Sequence, residues 1–469
     1  MNFKLLVMLL TLMPLLTMAQ RGGQKKSDLA VLLIKKYIAE KRIDKIYSMG
    51  NKAYKTAINQ KELEETGKEI YVLGKIKNSS FIGVEKGMNK YKLAFEAGNV
   101  ELSFSLDPNN KLKKLSFSAF KPVVTQKTVL VPSSNPLKSK LDKEVDTLAR
   151  LYIQNSNTVG LSIGVLKDGQ TFTYGYGATQ KKDGVLPDAN TIFEIGSVSK
   201  TFTAQLLAHY VNAGKISLTD LITKYLPDSV AANPELKKIK IVNLSNHTSG
   251  LVRLPGNILG KNMDVVNPYK HYTAPLLFSY LKTTKLASVP GEVYNYSNMG
   301  AGLLGVILER VGGQTYEELV KEIITEPLQM NSTFQHLTPE FEKRFAKVYN
   351  NEGTAIKAWD FDALAGAGGL RSTVNDLLIY AKNNIECKNP DLSKAFELTH
   401  QVTFSKKVMV GLGWHIIQTT ADPYYWHNGA TGGSRSFIMI NVKKKVAVVV
   451  LSNSEADTDN IGSGIFEKL

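Results

Sequence analysis

Strand-like and helix-like segments are unevenly distributed between residues 141 and 469, and that distribution constrains the fold more than any other feature of the chain. Near the start, Leu161, Ile163 and Val165 alternate, Lys167-Asp168-Gly169 supplies a tight turn, and Phe172, Tyr174 and Tyr176 alternate on the return. Alternate side chains of a strand share one face, and Asp-Gly accepts the left-handed backbone of a short hairpin turn. Two further strand-like runs, Phe437 to Val442 and Val446 to Leu451, lie near the other end. Helical periodicity fills the middle, and the amphipathic segment LDKEVDTLARLYIQN precedes the hairpin. Strands at both ends with helices between them predict one antiparallel sheet built from distant parts of the chain and flanked by helices, an α+β or α/β unit.

At 469 residues the chain is long enough for two or three domains. Residues 28–47 have helical spacing, with Leu29, Leu32, Leu33 and Lys36 on one stripe continued by Ile43 and Ile46. Alternating segments follow: Tyr91, Leu93 and Phe95, then Val100, Leu102, Phe104 and Leu106. Asp107-Pro108-Asn109-Asn110 is turn chemistry before LKKLSFSAF. Helices first and a curled antiparallel sheet afterwards predict a small α+β domain over residues 25–121. In pattern it resembles the cone-shaped NTF2-like modules. Residues 122–140 combine Pro, Ser and Thr and read as an extended linker, which leaves 141–469 as the second domain.

Residues 2–19, NFKLLVMLLTLMPLLTMA, are a short apolar run behind a single lysine, and Thr17-Met18-Ala19 has the small-x-small form of a cleavage site. Residues 1–19 are therefore expected to be a signal peptide, with an uncleaved anchor as the alternative, and the mature protein is expected to be periplasmic or secreted. The formal net charge of +16 is concentrated early: residues 21–140 hold 24 Lys/Arg against 11 Asp/Glu, whereas residues 141–469 hold 33 against 31. An exported chain rarely meets nucleic acid, so the excess lysines imply either an anionic envelope surface as partner or simply a solvated face. One cysteine, Cys387, excludes an intramolecular disulfide, and seven scattered histidines without HExxH give no expectation of a metal or cofactor.

The chemistry concentrates in three places. Ser197-Val198-Ser199-Lys200 sets a serine and a lysine three residues apart, ahead of the helical repeat Phe202, Leu206, Tyr210. Positions i and i+3 share a helix face, so the lysine can reach the serine hydroxyl, and the helix N-terminus supplies positive potential and free N–H groups. The pattern alone is common, since Ser118-Ala119-Phe120-Lys121 and Ser279-Tyr280-Leu281-Lys282 also fit it. Tyr296-Ser297-Asn298 precedes a periodic helix, which places a phenol on a loop. Nearby lysines are expected to lower its pKa and make it a general base, while Asn298 bonds Lys200 or a substrate amide. His427-Asn428-Gly429 then Ala430 lies just before the closing strands. Gly429 permits close backbone approach, the Ala430 N–H is a candidate oxyanion donor beside that of Ser197, and His427 is expected to donate a hydrogen bond next to Tyr296.

Ser-x-x-Lys, Tyr-x-Asn and His-x-Gly in this order resemble the penicillin-recognising serine hydrolases, specifically the class C β-lactamase branch with its DD-peptidases and esterases. Asn246-His247-Thr248-Ser249-Gly250-Leu251, Ala365-Gly366-Ala367-Gly368-Gly369-Leu370 and Gly411-Leu412-Gly413-Trp414 agree with it. The resemblance implies an acylated Ser197 activated by Lys200 and Tyr296. It also implies that Asn298 and His427 complete the hydrogen-bonded site, and that the Ser197 and Ala430 amides form the oxyanion hole. Class C enzymes usually carry Lys-Thr-Gly where this chain has His427-Asn428-Gly429, so a permanent cation for a substrate carboxylate is missing. Arg435 either replaces it or is a strand residue with an exposed tip. The expectation is an exported serine hydrolase that needs no cofactor and acts on a β-lactam, a D-alanyl peptide or a small ester. The rival reading is a catalytically weak penicillin-binding sensor of the cell envelope.

Overall fold

The computed structural model describes residues 26–259, 264–420 and 422–469, and the chain divides after Pro122 into two compact units. The segment read as a signal peptide lies outside the described residues. In the first unit, helix α1 (residues 26–39) gives way to a turn in which Lys41 takes a left-handed backbone (φ 55°). Helices α2 (Ile43–Ser48), α3 (Lys52–Ala57) and α4 (Gln60–Tyr71) follow. Asn51 and Asn59 cap α3 and α4 through their side-chain oxygens. Strands β1 (Ile76–Glu85), β2 (Met88–Phe95), β3 (Asn99–Leu106) and β4 (Leu112–Ala119) then form an antiparallel meander in sequential order.

The predicted stripe of the first helix is on the wrong face. Leu29, Leu32 and Leu33 are 60%, 59% and 37% exposed, whereas Ala30, Val31, Ile34 and Ile38 are buried against Tyr91, Leu93 and Phe104. The two stripes are one residue apart, about 100° around the helix. The leucine stripe runs into Lys36, while the Val31–Ile34–Ile38 stripe stays apolar through the last turn and is the one the sheet covers.

The stretch read as a linker is extended, but it is strapped along the second unit. Lys127 N–H donates to Gln154 O at 2.7 Å, Ser134 N–H to Gly175 O at 2.9 Å, and Gly177 N–H to Pro132 O at 2.9 Å. Asn135 Nδ2 donates to Tyr176 Oη at 2.7 Å. Helix α5 (Lys140–Ile153) then opens with a Ser139/Asp142 capping box.

The main sheet of this unit is antiparallel throughout. Its strands are β5 (Gly160–Lys167), β6 (Gln170–Gly177), β9 (Phe404–Ser405), β10 (Met409–Val410), β11 (His415–Ile417), β12 (Tyr424–Ala430), β13 (Arg435–Asn441) and β14 (Val446–Ser452). They lie in the order β6-β5-β14-β13-β12-β11-β10-β9. The short strands β7 (Phe193–Glu194) and β8 (Arg371–Ser372) pair separately. The β5–β6 hairpin turns through Asp168 and Gly169, both with positive φ (51° and 75°).

Both faces of the sheet are covered. Leu161, Ile163, Val165, Phe437, Met439, Val448 and Val450 pack with residues of α5 and of the helix Asp459–Phe466. Leu166, Ile438, Ile440, Val449 and Leu451 belong to the larger core with Phe202 and Leu206 of helix α6 (Ser199–Asn212). That double burial is why β13 and β14 read as continuous apolar runs.

Candidate active site

The chain reaches Ser197 through β7 and a single 3₁₀ turn, Gly196–Val198, which continues directly into α6. The helix is buried almost all round, and its first turn carries Lys200, itself 3% exposed. Lys200 Nζ lies 3.0 Å from Ser197 Oγ, 2.9 Å from Asn298 Oδ1 and 2.6 Å from Ala367 O. Burial holds its pKa well below the ordinary lysine value, with Arg253 adding to the effect. A neutral Lys200 donates its two protons to Asn298 and Ala367, leaving the nitrogen lone pair for the Ser197 hydroxyl.

Asn298 opens helix α7 (Asn298–Gly312), capped by Ser297, whose Oγ accepts from Gly300 N–H at 2.9 Å. This fixes Tyr296 at the mouth of the helix, where it lines the same cavity as Ser197. Its ring lies 4.8 Å from Lys200 Nζ and 5.1 Å from the Arg253 guanidinium. The expected fall in its pKa is reversed: burial outweighs the neighbouring cations and pushes the Tyr296 phenol up to about 12. Of the two candidate bases, Lys200 is the one driven toward its basic form. His247 braces this loop: its Nδ1 accepts from Ser297 N–H at 3.2 Å, and its ring lies 4.3 Å from that of Tyr296.

The opposite wall comes from β12. A Cβ on Gly196 (φ 46°) would stand 2.7 Å from Ala430 N, and one on Gly429 would stand 2.0 Å from Ile195 O. Two glycines therefore let the Ser197 turn and the end of β12 meet backbone to backbone, which brings the Ser197 and Ala430 amides to one place. Ser436 Oγ adds a 2.7 Å bond to Ile195 O. Behind the turn, the buried Glu194 carboxylate accepts from Trp359 N–H at 2.5 Å, Thr431 Oγ1 at 2.6 Å and Ser434 Oγ at 3.4 Å.

His427 departs from expectation. It is 1% exposed and its Nδ1 is 2.6 Å from Asn428 O, which as a carbonyl can only accept, so Nδ1 carries the proton. The remaining nitrogen offers a lone pair rather than a donor, and burial together with His415 and Lys200 holds the ring neutral. Arg435 is not a free replacement cation: it donates to Thr431 O and Ser434 O, both at 3.0 Å, and lies 3.7 Å from Glu455.

A cavity of about 490 Å³ opens onto Ser197, Tyr296, Gly429 and Ala430. Sequence reasoning missed several of its lining residues: Arg253, Tyr294, His415, and the carboxylates Glu455, Asp457 and Asp459. Arg253 stands two positions past the Asn246–Leu251 segment and carried no spacing signal. Asp459 Oδ2 accepts from Asn428 Nδ2 at 2.6 Å, and burial followed by the charge of Asp457 raises its pKa to about 6. A wider depression of about 590 Å³ beside Lys224, Asp228 and Lys237 is bordered by exposed charges and lies away from this chemistry.

Residues 145–463 match the β-lactamase family model. A β-lactamase of Pseudomonas fluorescens is 26% identical over 344 residues, covering 66% of this chain and 92% of that protein. The D-alanyl-D-alanine-carboxypeptidase/endopeptidase AmpH of Escherichia coli K12 is 28% identical, covering 66% and 83%. Among solved structures, a class C β-lactamase superimposes with a TM-score of 0.64 at 25% identity, covering 72% of this chain and all of that one. The fold is also that of a β-lactamase/D-alanine carboxypeptidase from Pseudomonas syringae, with a TM-score of 0.63 at 24% identity over 70% and 99% of the two chains. The family match spans most of the chain and falls on the unit that carries the Ser197 site, so this protein belongs to the β-lactamase family and is a serine hydrolase.

Proposed function

We propose that the protein hydrolyses the amide or ester bond of β-lactams or D-alanyl peptides through an acyl-enzyme on Ser197. The observation that carries this reading is the buried Lys200 amine 3.0 Å from Ser197 Oγ with its other partners both acceptors. Lys200 takes the hydroxyl proton as Oγ bonds to the carbonyl carbon, and the oxyanion forms against the Ser197 and Ala430 amides. The scissile C–N or C–O bond then breaks, and the proton passes through Tyr296, which lines the cavity with Ser197, to the departing nitrogen or oxygen. Water enters by the reverse proton route and releases the acyl group. Asn298 holds Lys200 in place, and His427 supports the site as a neutral acceptor. The leader-like residues 2–19 support an extracytoplasmic site of action, and the mass of the mature N-terminus checks that part.

The test is the intact mass of the protein after brief exposure to a penicillin, beside Ser197→Ala, with the drug in the same tube assayed for ring opening. A drug-sized adduct or hydrolysed drug with wild type alone supports the reading. Equal modification or turnover by Ser197→Ala overturns it. No adduct and intact drug turns the same comparison to a D-alanyl-D-alanine peptide, and failure there as well leaves the site without this chemistry.

A further inference from the structure

The first unit carries apolar side chains that its own core does not use. On α1, Leu29, Leu32 and Leu33 are exposed, and on β1 Phe81 and Val84 are 41% and 62% exposed. These five belong to one side of the unit. Asp28 Oδ1 accepts from Tyr91 Oη at 2.6 Å and Lys35 Nζ donates to Ser79 Oγ at 3.1 Å. The flank of α1 that holds residues 28, 32 and 35 therefore runs along the β1–β2 hairpin. Phe81 and Val84 pair with Tyr91 and Asn89, two positions apart on β2, and paired residues share a face. Both thus stand on the face that α1 packs against, but α1 covers Tyr91 and Leu93 of β2 and leaves them open. A contiguous apolar surface of this kind on a soluble unit marks a contact site.

Two occupants compete for it, a second copy of the chain and a lipid bilayer, and charge decides between them. Residues 26–122 hold 19 Lys/Arg against 11 Asp/Glu, so two copies of this unit repel one another. β1 is an edge strand, yet register shifts between Ile76 and Asn78 and between Phe81 and Gly83 distort the edge that a second copy would have to extend. Lysines instead rim the apolar group: Lys26 and Lys36 are exposed on α1, and Lys86 is exposed in the β1–β2 turn beyond Val84. The carboxylates nearby are already engaged, Asp28 by the Tyr91 hydroxyl, Glu40 at 4.0 Å from Lys36 and Glu85 at 2.7 Å from Lys90. Apolar side chains ringed by lysines match an anionic membrane, whose acyl boundary takes the leucines while its phosphates meet the ammonium groups. We propose that the α1–β1 face of the first unit is a peripheral binding surface for an anionic phospholipid bilayer. Because both units belong to one chain, this contact holds the Ser197 hydrolase at a membrane.

The experiment uses the chain from Gln20 onward, which keeps every described residue and removes the apolar run 2–19 as a source of binding. It is centrifuged with vesicles of phosphatidylcholine alone or with about one third phosphatidylglycerol, and the bound fraction gives a partition coefficient. Wild type is expected to partition at least about 10-fold more strongly onto the anionic vesicles. Leu29→Gln/Leu32→Gln should lower that partition by about 10-fold or more, and Lys26→Gln/Lys36→Gln by about 10–30-fold on the anionic vesicles alone. All four positions are exposed, so both variants should keep the wild-type circular dichroism and thermal midpoint, which separates lost binding from lost folding. Equal partition onto the two kinds of vesicle, or a leucine variant within about 2-fold of wild type, overturns the proposal. So does a vesicle-free dimer in sedimentation velocity that Leu29→Gln/Leu32→Gln dissociates, which gives the face to a second copy instead.

Discussion

Thr431 Oγ1 donates a 2.6 Å hydrogen bond to the buried carboxylate of Glu194, three residues ahead of Ser197. Through that bond, and those from Ser434 Oγ and Trp359 N–H, one side chain ties the approach to the nucleophile to the turn that follows Ala430. Glu194→Ala leaves three donors, two of them on the buried Thr431 and Ser434, without an acceptor and is expected to lower stability by about 2–4 kcal/mol. It should also reduce kcat/KM per folded molecule, because the Ala430 amide loses its anchor. Urea unfolding followed by active-site-normalised kinetics checks both; a loss of stability with unchanged kinetics would show that Ala430 is held by other means.

The depressed lysine and the raised tyrosine predict the form of the pH profile. Below the Lys200 pKa the amine is protonated and has no lone pair, so kcat/KM should fall on the acid side and rise to a plateau as Lys200 deprotonates. Tyr296, at about 12, stays protonated across that range. Tyr296→Phe is expected to reduce kcat/KM by about 10²–10⁴-fold while the acid limb keeps its position. Displacement of that limb in the variant would assign the base to the tyrosine.

The three histidines His247, His415 and His427 should be silent near neutrality. Burial and Lys200 lower His415 to about 4, and His247 and His427 are held well below the ordinary value. Asp459, at about 6, is the cavity group that titrates there: below that pH it is neutral, and above it the wall gains a negative charge. KM for an anionic ester should accordingly rise as the pH passes 6. Asp459→Asn should flatten that rise, and His415→Asn should leave it in place. Initial-rate kinetics from pH 5 to pH 8 would expose a histidine instead if only the second variant removed the inflection.

In the first unit, truncating a residue of the true inner face is expected to matter far more than truncating the leucines. Ile34→Ala should weaken amide protection in α1 by about 2–4 kcal/mol, and Leu32→Ala by less than about 0.5 kcal/mol. Native-state hydrogen exchange resolves the two, and comparable losses would put Leu32 in a contact of its own.

What the sequence made legible was what local chemistry determines. The Asp168-Gly169 hairpin, the alternation in β5 and the apolar β13 and β14 follow from periods of two and from turn residues, and they point directly to the sheet. The meeting of Ser197, Lys200, Tyr296 and Asn298 follows from motifs whose spacing survives in one dimension. Burial does not survive in that way. Whether a tyrosine among cations falls or rises in pKa depends on how much water reaches it, and Tyr296 is buried enough to rise. The tautomer of His427 depends on a carbonyl one residue away, and the inner face of α1 depends on which of two apolar stripes the sheet covers. Arg253, His415 and Glu194 were invisible because each acts across long stretches of chain without a recurring pattern.

Strand β14 lies between β5 and β13, in the interior of the sheet, although it comes after every other described strand in the sequence. On a ribosome, the hairpin, the Ser197 helix and Tyr296 all emerge well before the strand that joins β5–β6 to the rest. Until residues 446–452 are released, the growing chain holds two sheet fragments with open edges, and the wall bearing Gly429 and Ala430 has no fixed position opposite the nucleophile. Ring closure over such a sequence separation is slow and leaves exposed edges for chaperones to guard. Truncation ahead of residue 446 would thus split the sheet through its middle, and hydrolytic competence waits on the release of residues 446–452.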